Sequence, residues 1–175
     1  EWLWGYRESD RLGGHDPYSN SKACAELVTS SFRQSFFDKL NIGLATARAG
    51  NVIGGGDWSQ DRLIPDFIRA QQNSTGLSIR NPKAIRPWQH VIEPVFGYLR
   101  LCEKLYQDPK KSSDAWNFGP NDFGMVDVET VINEMQSHVS ESVNVTFNKD
   151  ESMHEASLLK LDVSKAKNQL KWESR

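Results

Sequence analysis

The feature that most constrains the fold is a long helix-forming segment that leads directly into a short apolar strand. Asp16 and Pro17 are typical of a helix start, because an Asp side chain caps free N–H groups and Pro fits the first turn. Apolar residues then recur at helical spacing up to about Leu40. The segment 42–47 is short, apolar and flanked by polar residues, which predicts a buried strand. Because a long helix precedes it, this strand is expected to belong to a parallel sheet.

The alternation of helix and strand continues to the end of the chain. Helices are predicted at about 62–72, 92–106, 128–139 and 163–170. Strands are predicted at about 77–80, 86–90, 115–118 and 143–147. In the helix at 92–106, Phe96, Leu99 and Leu105 are expected on the apolar side. This order of elements is typical of the α/β class.

Composition and charge exclude several classes of function. The 175 residues include 21 Lys or Arg and 23 Asp or Glu, a formal charge of −2, which argues against general nucleic-acid binding. The two cysteines, Cys24 and Cys102, lie in apolar periodic segments, so we expect both to be buried. No Cys/His spacing indicates a metal site, and no apolar run reaches the roughly 20 residues of a membrane span. We therefore expect a cytoplasmic protein that holds no metal and does not bind membranes.

The sharpest chemical motif is Tyr18 followed four residues later by Lys22, at the start of the first predicted helix. Residues at this spacing project from one face of a helix. A lysine ammonium near a phenol favours the phenolate, so Tyr18 is a candidate general base. A solvated helical pair has the same spacing, and the pair by itself leaves both interpretations open.

A glycine-rich segment, 48–58, follows the first predicted strand. Asn51 lies just beyond the carboxyl end of that strand, where open α/β sheets bind ligands. Arg48 is either a ligand-facing residue or one partner of a structural salt bridge. The three consecutive glycines at 54–56 either present N–H groups to a phosphate or form a flexible turn.

Arginines further along the chain are candidates for binding an anionic ligand. Arg86 opens the sequence Arg-Pro-Trp-Gln-His, and a guanidinium can bind two oxygens of a diphosphate. The alternative is an exposed strand arginine. Arg62 and Arg80 face either a nucleotide or water. His90 either contacts a substrate or is a hydrogen-bonded structural histidine, and the nearby Trp88 either stacks on a ligand or packs within the fold.

Three segments together carry a resemblance to a known family. They are Asp16–Val28 (DPYSNSKACAELV), Arg48–Trp58 (RAGNVIGGGDW) and Arg86–Val91 (RPWQHV). Their order resembles that of the extended short-chain dehydrogenases/reductases, and the last two segments resemble the CDP-glucose 4,6-dehydratases within that family. The resemblance extends over essentially the whole chain. It implies the C-terminal part of a Rossmann-like, doubly wound NAD(P)-binding fold, together with a smaller α/β substrate-binding domain.

The resemblance also implies a division of the chain and a role for each candidate residue. Residues 1–50 would form a slice of the Rossmann domain, and residues 51–175 would form mainly the substrate-binding domain, with some segments returning to the Rossmann sheet. Tyr18 matches the tyrosine that takes the proton from the sugar 4-hydroxyl as hydride passes to NAD. Lys22 matches the lysine that lowers the proton affinity of that tyrosine and bonds the nicotinamide ribose, and Tyr18 and Arg48 are also assigned to the cofactor side. The residues assigned to the nucleotide-sugar substrate are Asn51, Arg62, Arg80, Arg86 and His90.

Part of the family pattern is missing from this sequence. The G-x-x-G-x-x-G turn that holds the NAD pyrophosphate does not occur, and the family's dehydration acid lies upstream of its catalytic tyrosine. We therefore expect the chain to be the C-terminal portion of an NAD-dependent lyase of roughly 350 residues. The complete enzyme would convert CDP-glucose to CDP-4-keto-6-deoxyglucose as a homodimer or higher homo-oligomer, and the isolated chain would be inactive. The alternatives are a non-catalytic nucleotide-sugar-binding module, and an epimerase or decarboxylase of the same family.

Overall fold

The first helix of the structure is the long helix that the sequence predicts. The computed structural model describes residues 4–121, 124–148 and 157–175. Helix α1 spans Pro17–Phe32, and the Asp16 side chain caps it by accepting a hydrogen bond from the Ser19 N–H. The helix continues through a π-helical turn (Arg33–Phe37) and a final turn, α2 (Asp38–Leu40). Asn41 ends it in the left-handed conformation, with a φ of 54°.

The remaining elements alternate along the chain. They are β1 (Thr46–Ala49), β2 (Asn51–Ile53), α3 (Leu63–Gln72), β3 (Leu77–Ile79), β4 (Ile85–His90), α4 (Ile92–Gln107), α5 (Pro109–Ser112), β5 (Ala115–Phe118), β6 (Met125–Asp127), α6 (Val128–Ser137), β7 (Val145–Phe147) and a second π-helical turn (Ala166–Leu170). The predicted α/β class is confirmed.

The strands of the described residues form three small sheets. Strand β1 pairs in parallel with β5, and β3 pairs in parallel with β7. The third sheet has the order β2-β4-β6, with β2 parallel and β6 antiparallel to β4. Gly50 is the single residue between β1 and β2, so the chain passes from one sheet to the next at this glycine. The division of the chain into two domains near residue 50 stays a prediction.

In the part of the chain that the structure describes, two separate clusters of apolar side chains form the core. One is built on β5 and the C-terminal segment and contains Leu101, Trp116, Phe118, Ala166, Leu170 and Trp172. The other lies around the β3–β7 sheet and contains Phe67, Ala70, Ile79, Ile132 and Val143. The first cluster fixes the β1–β5 sheet, to which α1 is tied.

Several sequence-based expectations about burial are wrong. The strand predicted at 42–47 lies at 46–49, and Ile42 is 47% exposed. None of its residues is buried, because among the described residues β1 has a strand partner on one edge only. Cys24 and Cys102 are both exposed.

Helix α4 and strands β2 and β6 show further differences. Helix α4 buries Pro94, Gly97 and Leu101, whereas Phe96 and Leu99 are exposed. Leu105, the third residue predicted on the apolar side, packs half-buried against the first cluster, so the apolar periodicity was wrong for two of the three residues. Strands β2 and β6 were not predicted, and β2 lies within the segment interpreted as a glycine-rich loop. Within the three described ranges, every helix is too short or too polar to cross a bilayer.

Candidate active site

The Tyr–Lys pair lies on the first two turns of α1. Lys22 Nζ is 5.5 Å from the centroid of the Tyr18 ring, so the two side chains share one helix face as their spacing predicts. Tyr18 is 64% exposed and Lys22 is exposed. Both groups are therefore accessible to a ligand placed against the start of α1.

The loop before α1 is held by side chains of the helix's first turn. Asn20 Nδ2 donates to the carbonyl of Gly14 at 2.9 Å, and the Gly14 N–H donates to Asn20 Oδ1 at 3.3 Å. Ser19 Oγ donates to Asp16 Oδ2 at 2.6 Å, and the hydrogen bonds from Ser19 lower the pKa of Asp16. These contacts fix the backbone around Tyr18. Asn20 was not among the predicted site residues, although an amide side chain in the first helical turn after two glycines is a usable signal.

A partly buried ion pair fixes α1 against β1. Glu26, one turn after Lys22, accepts a hydrogen bond from Arg48 Nε at 2.7 Å and another from Thr46 Oγ1 at 2.7 Å. Burial alone would raise the pKa of Glu26, but the hydrogen bonds from Arg48 and Thr46 and the Arg48 charge hold it below its ordinary value. These hydrogen bonds tie α1 to β1. Strand β1 leads through Gly50 into β2, which begins with the predicted substrate residue Asn51.

The same network reaches the N-terminal segment and β5. Arg48 Nη1 donates to the Glu8 carbonyl at 3.4 Å, while Glu8 Oε1 accepts the Asn117 N–H at 2.8 Å. Asn117 Nδ2 donates to the carbonyls of Tyr6 and Asp162. Arg48 therefore occupies the salt-bridge role that the sequence left open. Its assignment to the cofactor stays a prediction.

Strands β2 and β4 bring several predicted substrate residues onto one face. Side chains alternate along a strand, so Arg86, Trp88 and His90 share one face of β4. Asn51 pairs directly with Trp88 in the adjacent parallel strand and joins that face. Arg86 is only 8% exposed, and its Nη1 donates to the Ile85 carbonyl at 2.9 Å. His90 Nδ1 accepts the Ile92 N–H at 3.3 Å, and Trp88 Nε1 donates to the Val126 carbonyl at 3.1 Å.

The other two predicted substrate residues lie outside this sheet. Arg62 is the exposed residue that precedes α3, and Arg80 is the exposed residue that follows β3. The glycine-rich loop after β2 is held by Arg69, whose guanidinium donates to the carbonyls of Trp58 and Ser59 at 2.9 and 3.0 Å. Trp58 itself is exposed, so it is not packed in the core.

The residues present fit one part of an NAD molecule. Tyr18 and Lys22 supply an accessible phenol and ammonium on one face, which suits hydroxyl groups of the nicotinamide ribose. The sequence has no G-x-x-G-x-x-G turn for the pyrophosphate. Among the described residues, no group of three or more His, Cys, Asp or Glu side chains is arranged to hold a metal ion.

Comparison with known proteins decides the family. A model of the GDP-mannose 4,6 dehydratase family matches residues 4–175. The chain belongs to the GDP-mannose 4,6 dehydratase family. The chain is also 51% identical, over its whole length, to half of the CDP-glucose 4,6-dehydratase of Salmonella typhimurium. The predicted membership of the extended short-chain dehydrogenases/reductases is confirmed.

The other relatives and structural neighbours are more distant. UDP-glucuronic acid decarboxylase 1 of Arabidopsis thaliana is 25% identical, with 37% of its length covered. A dTDP-glucose 4,6-dehydratase of Streptomyces venezuelae, solved with NAD, superposes with a TM-score of 0.83 at 17% identity, over 100% of this chain and 51% of that one. A UDP-glucuronic acid 4-epimerase of Bacillus cereus gives a TM-score of 0.76 at 18% identity, over 91% of this chain and 48% of that one. The chain spans about half the length, or less, of these relatives.

Proposed function

We propose that this chain is the part of a CDP-glucose 4,6-dehydratase that carries the catalytic Tyr–Lys pair and most of the substrate site. The observation that carries the proposal is the placement of Tyr18 and Lys22 on one face of α1, 5.5 Å apart from ring centroid to Nζ. The 51% identity to a protein of that name supports the choice among the dehydratases.

Tyr18 acts as the base in the first step. Its phenolate oxygen accepts the proton of the sugar 4-hydroxyl, and the Lys22 ammonium stabilises the phenolate. NAD bound against Tyr18 and Lys22 would supply the hydride acceptor for this oxidation and the hydride donor for the final reduction at C6. A 4-keto group would make the C5 proton acidic, so that water could leave across C5 and C6 to give a 4-keto-6-deoxy sugar. The dehydration acid is not assigned to this chain.

Arg86 and Asn51 bind the phosphate side of the nucleotide sugar. The buried guanidinium of Arg86 is held close to the backbone of its own strand, which prepares it for a bidentate contact at little cost in side-chain entropy. Asn51 and His90 lie on the same face and complete the contacts near the sugar. Arg62 and Arg80 reach the nucleotide from the ends of α3 and β3.

The decisive experiment measures 4-keto sugar formation from CDP-glucose and NAD. We expect the natural protein that contains this sequence to be active and the 175-residue chain alone to be inactive. Tyr18→Phe should lower kcat of the natural protein by about 100-fold or more. The matched control is Tyr106→Phe, because Tyr106 is an exposed tyrosine at the end of α4. Undiminished turnover by Tyr18→Phe, or an epimerised or decarboxylated product, would overturn the proposal.

A second candidate function is nucleotide-sugar binding without chemistry. The face formed by Asn51, Arg86 and His90 lies wholly within this chain, whereas the G-x-x-G-x-x-G turn does not occur in it. Calorimetric titration of the 175-residue chain with CDP-glucose, in the absence of NAD, tests this function. Saturable binding that is lost in Arg86→Ala supports it, and no heat of binding excludes it.

A further inference from the structure

Gln89 forms a side-chain link between two of the sheets. It lies on β4, is 5% exposed, and its Nε2 donates to the carbonyl of Phe118 at 2.9 Å. Phe118 is the last residue of β5, which pairs with β1. The Gln89 amide therefore joins the β2-β4-β6 sheet to the β1–β5 sheet.

The acceptor of this bond is rigidly placed. The Phe118 ring is fully buried, with edge-on contacts to Tyr98 and Trp172 at centroid distances of 5.3 and 5.0 Å. The Phe118 carbonyl also accepts the Gly50 N–H at 3.2 Å. Gly50 is the residue at which the chain changes sheets. The Phe118 carbonyl therefore accepts one hydrogen bond from this crossing point and another from the Gln89 side chain.

Gln89 faces away from the substrate-side residues. Alternation along β4 puts Arg86, Trp88 and His90 on one face and Gln89 on the other. Gln89 therefore acts on those residues through the strand that carries them. Gln89 can therefore affect the reaction only by changing where β4 lies.

The Gln89 amide stabilises the folded state less than an apolar side chain of similar size would. No donor from the described residues reaches Gln89 Oε1, which is buried. A buried acceptor without a partner destabilises the folded state, and an apolar side chain of similar size removes that cost. What the amide adds over an apolar residue is a bond that fixes β4 relative to β5.

The second half of the link connects the β1–β5 sheet to the catalytic helix. Glu26 on α1 accepts hydrogen bonds from Thr46 and Arg48 on β1. A continuous set of contacts thus runs from the strand with Arg86, through Gln89 and the two sheets, to the helix with Tyr18. Reacting groups must be placed within about an ångström, since misplacement on that scale can cost about 100-fold in rate.

We propose that Gln89 is a positioning residue that sets the substrate-binding strand β4 at the correct distance from the Tyr18–Lys22 pair. This inference rests on the proposed dehydratase function. It assigns Gln89 no contact with the substrate or the cofactor.

The test compares Gln89→Leu with Gln136→Leu in the natural protein that contains this sequence. Gln136 is a matched control, because its side chain makes two hydrogen bonds to the Val143 backbone near the end of α6 and bridges no two sheets. For Gln89→Leu we expect kcat to fall about 10- to 100-fold, KM to stay within about threefold, and the kinetic isotope effect of deuterium at sugar C4 to rise. Its Tm should change little. Gln136→Leu should lower the Tm and leave kcat and the isotope effect unchanged.

Other outcomes overturn the inference. Unchanged kcat in Gln89→Leu, or a loss of kcat that only accompanies a fall in Tm, means that Gln89 has no positioning role. A rise in KM at constant kcat means that it contacts the substrate directly. Absence of turnover in the unmutated protein would refute the proposed function instead.

Hydrogen exchange then tests the link independently, since Gln89→Leu should speed exchange of the Gly50 amide at least several-fold while Gln136→Leu leaves it unchanged. Equal exchange at Gly50 in both variants refutes the link itself.

Discussion

Arg48 Nε donates to Glu26 Oε1 at 2.7 Å across the interface between α1 and β1. Less than a quarter of each side chain is exposed. The pair fixes the register of the helix that carries Tyr18 and Lys22.

Breaking this pair should destabilise the protein. Glu26→Ala leaves the Arg48 guanidinium partly buried without its carboxylate, so we expect the free energy of unfolding to fall by about 1–3 kcal/mol. Urea denaturation measures the change. The control is Arg7→Ala, since Arg7 pairs with Asp162 but is 69% exposed at its side chain, and such pairs contribute little. Equal losses of unfolding free energy in the two variants would contradict the conclusion that the Glu26–Arg48 pair stabilises the fold more than an exposed pair does.

The same carboxylate predicts a dependence of stability on pH. Its pKa in the folded protein lies below the ordinary 4.5, so the folded state binds fewer protons than the unfolded state in this range. The contribution of Glu26 is fully present above the ordinary pKa and is lost as the pH falls through the lower folded pKa. The difference in unfolding free energy between the unmutated protein and Glu26→Gln should therefore shrink on acidification. A constant difference across that range would show that Glu26 is not the titrating group.

Gly50 should not tolerate a side chain. A Cβ at this position would lie 2.4 Å from the Pro87 carbonyl oxygen, so Gly50→Ala must push β4 away from the junction. We expect a loss of about 1–3 kcal/mol in unfolding free energy. Gly55→Ala is the control, because a Cβ there meets no atom within 4 Å. A Gly50→Ala protein as stable as Gly55→Ala would mean that the junction adjusts freely.

The exposed apolar face of α1 predicts self-association of the natural protein. Leu27, Val28 and Phe32 are all at least half exposed on this helix. Contiguous exposed apolar side chains are typical of an interface. If α1 forms the contact between two copies, Leu27→Glu should shift the mass measured by light scattering toward the monomer, whereas Lys39→Glu should not. A monomeric unmutated protein would refute the proposed homo-oligomer.

The sequence determined those features that depend on near neighbours along the chain. The Asp16 cap, the helix that it starts and the shared face of Tyr18 and Lys22 follow from contacts within four residues. The alternation of elements predicted the α/β class, and three short motifs carried the resemblance to the family whose model matches the chain. Local backbone preferences suffice for these features.

Only the tertiary structure decided which distant groups meet. Arg48 is 22 residues from Glu26, and Gln89 is 29 residues from Phe118, so no periodicity could reveal either bond. The same holds for the exposure of Cys24 and for the buried face of α4, since apolar spacing shows that a helix has an apolar side but not which neighbours cover it. Burial and pairing between distant segments are properties of the assembled sheets. The contacts of Gly50, Gln89 and Glu26 therefore link β4, β5, β1 and α1 in a way that the sequence alone does not reveal.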